Sequence, residues 1–305
     1  MVEIEELGEH ELPRWLAISN AVRPDDPLTP AMMIDWGRQA DSMIWLLSAV
    51  EGDDVAVGHG IIGWHADPAV AQIQVGVLET RRGEGFGRAL LARLSGWALD
   101  KDRSFADGSV NERDTESLAW AEHNGFSEVG RSSMLRLDLT TAARPDIDPP
   151  AGIVITTWAE HPEAATGMYG VACEAYPDIP GEESTEMAPF EKWRDNDLDG
   201  ASDRPEATFV ALAGSEVIGY AKLSLSEAVP DVAFHDITGV RRSWRGRGVA
   251  GALKRAEIAW AIDNGFVALK TFNEERNAPI RALNERHGYV VEPGTIRVRG
   301  ALQRS

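Results

Sequence analysis

The sequence predicts an α/β protein built on a mixed sheet and repeated twice in tandem. Three observations carry that prediction. The chain has 305 residues, more than one typical domain holds and about right for two. When Val77 is set against Val240, an offset of 163, Arg82 falls on Arg245, Gly83 on Gly246, Gly85 on Gly248 and Gly87 on Ala250. The register continues through Ala89 and Ala252, Leu90 and Leu253, and Trp97 and Trp260, to Gly125-Phe126 and Gly288-Tyr289. Finally, each half passes through the same order of strands and helices, as expected for helices packed on a sheet.

The elements follow in order. VEIEEL near the start and IVITTW from Ile153 open the two copies as strands. ELPRWLAISNAV and ATGMYGVACEAY read as helical. SMIWLLSAV, an EGDD turn and VAVGHGIIGW form a hairpin, matched by ATFVALA, a GSE turn and VIGYAKLSL, with Val57-Gly58 beside Ile218-Gly219. A strand then leads into a glycine loop and a helix, followed by a further strand and helix. SSMLRLDL and TIRVRG close the two copies, and LRLDL alternates as a strand should. TTAARPDIDPPAG has three prolines and no apolar period. This divides the chain into a first domain at 1–140, a linker at 141–152 and a second domain at 153–305.

The composition, 43% hydrophobic and 26% charged, is that of an ordinary globular chain. It has no apolar run of about 18 residues, so no transmembrane helix is expected, and the acidic N-terminus lacks a signal core. Cys173 is the lone cysteine, which rules out an internal disulfide and points to a cytoplasmic protein; it reads as a small packed hydrophobe. A net charge of -19 argues against nucleic acid and anionic membranes as partners and would favour a cationic substrate. No metal is called for.

Arg245-Gly246-Arg247-Gly248-Val249-Ala250 follows the apolar strand VAFHDITGV and opens a helix. A helix N-terminus leaves backbone N–H groups unpaired, and glycines let phosphate oxygens approach them. The stretch reads as a phosphate cradle or as a basic, solvated glycine turn. No Gly-Lys-Ser/Thr follows, and it is not the dinucleotide fingerprint.

The pattern Arg-x-x-Gly-x-Gly/Ala between strand and helix, on Arg82, Gly85 and Gly87 and again on Arg245, Gly248 and Ala250, resembles motif A of the GNAT superfamily of N-acetyltransferases. NAPIRALNERHGY resembles the family's Asn-led helix ending in Gly-Phe, and DTESLAWAEHNGF does so with Asp in place of Asn. The resemblance covers both halves and implies two tandem GNAT-like acyl-CoA N-acyltransferase domains that use acetyl-CoA. It implies that the pyrophosphate rests on the glycine loop and that the preceding strand bonds the pantetheine arm and thioester. Those strand positions are Thr238, Gly239 and Val240, or Val75, Gly76 and Val77. It also implies that Asn277 contacts the cofactor near its thiol. The family's tyrosine four residues before Gly-Phe is replaced by Asn284 and Ala121; a thiol of pKa near ~8.5 leaves without strong acid help.

The two copies differ in charge. Residues 241 to 255 carry six basic residues and no acid, and residues 78 to 92 carry three against two acids. The second loop therefore offers more positive potential to a polyanion. An alkylammonium with pKa near ~10.4 must lose a proton before it attacks a thioester. His235 and Asp236 precede the second loop, where the first copy has no titratable group and sets Ile73 against Asp236. Strand alternation puts Asp236 on the face of Thr238 and Val240, opposite His235. Asp236 reads as a base, a substrate anchor or a locally bonded carboxylate; His235 as a base or a half-buried strand residue. Glu174, Asp178, Glu182 and Glu183 form an acidic stretch that could attract an amine or be simply solvated.

The sequence thus points to acetyl-CoA-dependent acetyl transfer to a small amine, mainly in the second half, in a protein that can be monomeric because the duplication supplies the pairing. Two alternatives remain at this level. One is an acyl-CoA-binding sensor or scaffold without turnover. The other is a tandem enzyme resembling mycothiol synthase, with which the chain shares length and duplication.

Overall fold

The computed structural model describes residues 3–64, 67–179, 187–274 and 276–304. The chain forms two compact units, residues 1–131 with 295–305 and residues 132–294. The first contains β1 (Glu3–Glu6), α1 (Leu12–Val22), α2 (Pro30–Gln39), β2 (Ser42–Val50), β3 (Asp53–Ile62), β4 (Val70–Val77), α3 (Phe86–Leu99), β5 (Phe105–Asn111) and α4 (Thr115–His123). The long strand β6 (Phe126–Asp138) leads into the second, which contains β7 (Ile153–Thr157), α5 (Ala165–Ala175), α6 (Phe190–Asp197), β8 (Thr208–Ala213), β9 (Glu216–Leu225), β10 (Val232–Val240), α7 (Val249–Asp263), β11 (Ala268–Glu274) and α8 (Ala278–Arg286). The last strand is β12 (Val290–Ala301).

The sheet of the first unit runs β1-β2-β3-β4-β5 and that of the second β7-β8-β9-β10-β11; only β4 with β5 and β10 with β11 are parallel. The closing strands are exchanged relative to the sequence reading. Ser132–Asp138 of β6 pairs antiparallel with β11, in the second unit, and Thr295–Ala301 of β12 pairs antiparallel with β5, in the first. Inward side chains follow the exchange. Leu135 and Leu137 pack with Leu269 and Tyr289, and Ile296 and Val298 pack with Ala121.

Local chemistry explains the element boundaries. Thr29 caps α2 by accepting from Met32 N–H at 3.2 Å, with Pro30 at the first helical position. The β2–β3 hairpin turns on Glu51 and Gly52, both at positive φ (54° and 92°), the geometry of a tight two-residue turn. The linker does not hang free. Arg144 clasps Asp263 of α7 at 2.7 and 2.8 Å, and Arg255 donates to the carbonyls of Ile147 and Asp148. Cys173 is half-buried on α5.

Each sheet has helices on both faces. In the first unit Leu90, Leu94 and Ala98 of α3 pack on one face, and Trp15, Leu16 and Met33 of α1 and α2 cover the other. In the second unit Leu253, Ala256 and Ile258 of α7 take the first role. Met168, Val171 and Trp193 of α5 and α6 take the second. Among the described residues no helix is long and apolar enough to cross a membrane.

Candidate functional site

Both glycine loops adopt the same backbone. Gly83 and Gly85 have φ of 83° and 94°, and Gly246 and Gly248 have 74° and 87°. An L side chain is strained there, which is why glycine recurs at these two positions. Gly85 and Gly248 are the N-caps of α3 and α7, and the first helical bond of α7 runs from Ala252 N–H to Gly248 O. The N–H groups of Val249, Ala250 and Gly251 therefore have no helical acceptor. A Cβ added at Gly83, Gly85 or Gly246 would meet nothing within 4 Å, and one at Gly248 only Pro150 Cγ at 3.5 Å. An open, N–H-lined concavity at a helix start fits a pyrophosphate.

The side chains around the loops are more neutral than the composition implies. Arg242 and Arg245 both grip Asp178, at 2.7 and 2.6 Å, and Arg241 holds Glu174 at 2.8 Å. The Arg242 and Arg245 guanidinium groups pull the Asp178 carboxyl down to about 2. Glu174 and Asp178 are thus engaged with arginines and are not presented to an amine; Glu182 and Glu183 lie outside the described residues. Lys254 is buried against Glu257. Arg247 lies 4.9 Å from the Trp244 ring and, like Arg255, has no carboxylate partner among the described residues. In the first loop Arg81 pairs with Glu84, and Arg82 donates to Asp114 and Glu116. Asp114, which caps α4, is thereby tied to its own loop, whereas Asn277 starts α8 with no side-chain cap bond.

Beside each loop two parallel strands part. β4 pairs with β5 only over Val70–Gln72, and β10 with β11 only over Val232–Phe234. Beyond that point the strands leave a slot. Arg241 N–H bonds Ile218 O and Leu78 N–H bonds Val55 O. By alternation the backbone groups of Thr238 and Val240, and of Val75 and Val77, face the slots while those of Gly239 and Gly76 face β9 and β3. Val240 O accepts from Arg245 Nε at 3.0 Å. The first slot is bridged. Gln74 donates from Nε2 to Ser109 O at 2.9 Å and accepts from Ser109 N–H at 3.3 Å. The matching residue of the second unit, Ile237, has no polar group to do this.

The same two backbone bonds, at Arg241 and Leu78, revise the internal alignment. Val55-Ala56, not Val57-Gly58, stands where Ile218-Gly219 stands, so His59 corresponds to Lys222. They also reveal an extra residue. β4 pairs with β3 without a break, whereas β10 shifts register against β9 between His235 and Ile237. Asp236 is the inserted residue of a β-bulge, and His235 takes the place of Ile73. The bulge breaks the simple alternation predicted from sequence. His235 lies on the α7 face, with Thr238 and Val240. Asp236 points to the α5 face, where its carboxylate lies 2.9 Å from Lys222 Nζ and accepts from Ser224 Oγ at 3.3 Å.

On that face the second unit holds a polar group of side chains. Lys222, buried, also binds Asp203 at 2.8 Å and the Asp197 carbonyl. Burial opposes its charge, but Asp236 and Asp203 outweigh it and hold the ammonium above its usual range. Burial pushes the Asp197 carboxyl up to about 6, although Tyr176 donates a hydrogen bond to it. Trp193 Nε1 is buried with no hydrogen-bond partner among the described residues. The carboxylate of Asp236 is 47% exposed and so can be reached. In the first unit the same face is filled by aromatics: His59 is enclosed by Trp15, Trp36 and Trp45. Sequence reasoning missed Lys222, Asp197 and Asp203, since nothing local marks a lysine in a strand, an aspartate at the end of a helix and another in a loop as one cluster. Asn284, in the position of the absent tyrosine, is buried and donates to Asn273 at 2.8 Å.

The acetyltransferase (GNAT) family model matches the chain twice, over residues 4–126 and 166–289. A mycothiol acetyltransferase from Thermomonospora curvata is 26% identical over 294 residues, covering 93% of this chain and 91% of that protein. Among solved structures, a tandem GNAT protein from the clavulanic acid biosynthesis pathway has a TM-score of 0.78 at 20% identity and covers 100% of both chains. A GCN5-related N-acetyltransferase from Sphaerobacter thermophilus has a TM-score of 0.75 at 18% identity, covering 99% of this chain and 96% of that one.

Proposed function

The chain belongs to the acetyltransferase (GNAT) family, and from that premise we propose that it transfers an acetyl group from acetyl-CoA directly to a small amine, in the second unit. One observation carries this reading. The second unit alone combines an open slot with a reachable carboxylate on the acceptor face. In the first, Gln74 bridges the slot and aromatics fill that face.

The residues present fit the cofactor. Backbone N–H groups from Gly246 to Ala250 would hold the pyrophosphate, the slot-facing backbone of Thr238 and Val240 the pantetheine arm, and Asn277 the region near the thiol. Acetyl-CoA would supply an activated acyl carbon and a thiol that leaves readily. Lys222 and Ser224 fix the Asp236 carboxylate on the acceptor side. Asp236 takes a proton from the acceptor ammonium, directly or through one water. The Asp203 and Asp236 carboxylates both flank the Lys222 ammonium, and with the Asp197 carboxyl near by this face carries more carboxyl groups than ammonium groups, which suits a cationic acceptor.

A release assay for free CoA across an amine panel tests the reading. Asp236→Asn is expected to lower kcat by about a hundredfold, the usual scale for loss of a general base, with the KM for acetyl-CoA unchanged. The defect should shrink as pH rises and free amine accumulates. Full activity in that variant would overturn the assignment and shift the base to Asp197. No turnover with any amine would favour a binding protein without catalysis. A second reading is the activity named for the Thermomonospora curvata relative, supported by a match over 93% of the chain.

A further inference from the structure

Beneath the bulge, on the face away from the acceptor side, four buried polar side chains meet. His235 Nδ1 lies 3.1 Å from Glu257 Oε2, and its Nε2 meets the Tyr289 hydroxyl. Lys254 Nζ lies 3.6 Å from the same Glu257 oxygen and 5.7 Å from the centre of the Tyr289 ring. None of the four exceeds 6% exposure. Thr271 Oγ1 donates to the His235 carbonyl at 3.4 Å, so backbone and side chain of His235 are both held.

The first unit is the control. There His235 is replaced by Ile73, Lys254 by Leu91, Glu257 by Leu94 and Tyr289 by Phe126, all within or against one apolar core. That unit has no bulge in β4. Cluster and bulge occur together in one unit and are absent together from the other. Stability does not explain the cluster. Burying an ammonium and a carboxylate costs desolvation that well-packed hydrophobic side chains avoid, and replacing such a pair by hydrophobes is often neutral or stabilising.

Geometry supplies the link. His235 and Thr238 lie on the same face of β10 although three positions apart. A regular strand would put them on opposite faces. Holding both beneath forces the two residues between them, Asp236 and Ile237, to point together to the other side. Ile237 packs there against Val171 and Trp193, and Asp236 meets Lys222.

We propose that His235, Lys254, Glu257 and Tyr289 are positioning residues: they hold the bulge of β10 in place and so aim Asp236 at the acceptor side, without touching substrate. This rests on the reading of Asp236 given above, and the test separates the two.

The decisive variant gives the second unit the side chains of the first: His235→Ile, Lys254→Leu, Glu257→Leu and Tyr289→Phe together. It is expected to fold with a Tm no lower than that of the parent. Its crystal structure should show β10 paired regularly with β9 and the Asp236 carboxylate turned away from Lys222 Nζ. Its kcat should fall by about a hundredfold, the scale on which a misplaced catalytic group costs rate, with the KM for acetyl-CoA within about twofold. If the fourfold variant fails to fold, a crystal structure of Lys254→Leu with Glu257→Leu should show the same change. A double-mutant cycle supplies the readout that a merely structural role would not move. Combined with Asp236→Asn, His235→Ile should add less than about threefold, because its effect passes through Asp236. A bulge retained in the variant crystal, or a full multiplication of the two defects, would overturn the proposal. Full activity in Asp236→Asn alone would instead overturn the base assignment, and the crystal structure would still decide whether the cluster holds the bulge.

Discussion

His59 occupies in the first unit the place that Lys222 occupies in the second, and the two show how one buried position is held neutral or charged. His59 is buried among three tryptophans, and that burial, with the nearby Arg23 charge, depresses its pKa to about 3. The unfolded chain binds a proton near pH 6.5 and the folded one does not. Stability from this group is therefore fully present above pH 6.5 and is lost as pH falls toward 3. At pH 5 the loss is about 2 kcal/mol, from a difference of roughly 1.5 pH units. His59→Phe is expected to remove it: urea titrations followed by tryptophan fluorescence at pH 7 and pH 5 should show a smaller acid loss in the variant. Equal losses would mean that His59 charges freely in the folded state. At this scale the sequence was only partly legible. Asp236 stood out as a carboxylate before the loop, but its direction depended on a bulge created by register with β9 and the packing beneath, which no local pattern records. Lys222 was invisible for the same reason. A lysine in an apolar strand becomes informative only when Asp203 arrives from a distant loop.

The glycine loops were the most legible elements, because their conformation is demanded residue by residue. Two glycines at positive φ before a helix shape a turn that leaves the first helical N–H groups open, and the repeat of the pattern made chance a poor account of it. What separates the two cradles was not legible. The sequence suggested a large surplus of positive charge on the second, yet Glu174 and Asp178 neutralise much of it. The better discriminator is Gln74, whose amide ties β4 to Ser109 across the first slot. Coenzyme A is accordingly expected to bind the second cradle more tightly. Gly248→Val introduces a β-branched side chain at φ 87° and should weaken CoA binding by at least about thirtyfold, whereas Gly85→Val should leave the tight site intact. Isothermal calorimetry on the two variants checks this. Binding lost only on changing Gly85 would reverse the order of the sites.

The exchange of closing strands changes what counts as a folding unit. A boundary near residues 141–152 follows the prolines, and the duplication makes it natural to assign each closing strand to the copy it follows. Pairing and burial say otherwise: the chain's last strand completes the sheet of the first unit. It brings Ile296 and Val298 against Ala121 and Arg299 onto the Asp107 carboxylate at 2.6 and 2.9 Å. Asp107 has no solvent exposure in the folded unit, so losing the strand removes its bidentate arginine partner as well as the cover over β5. Against a domain stability of about 5–15 kcal/mol, these losses place the first unit near unfolding. Removing residues 295–305 should therefore damage the beginning of the chain. In hydrogen exchange, the amides of Phe105–Asn111 should lose protection while those of β10 and α7 keep theirs. The fragment 1–140, which carries every N-terminal element but lacks this strand, should likewise fail to give a stable fold alone. The contiguous reading makes the opposite forecast, with 1–140 folding by itself and the truncation disturbing the second unit. Protection lost in β10 and α7 but retained in β5 would show that the strands stay with their own copies in solution.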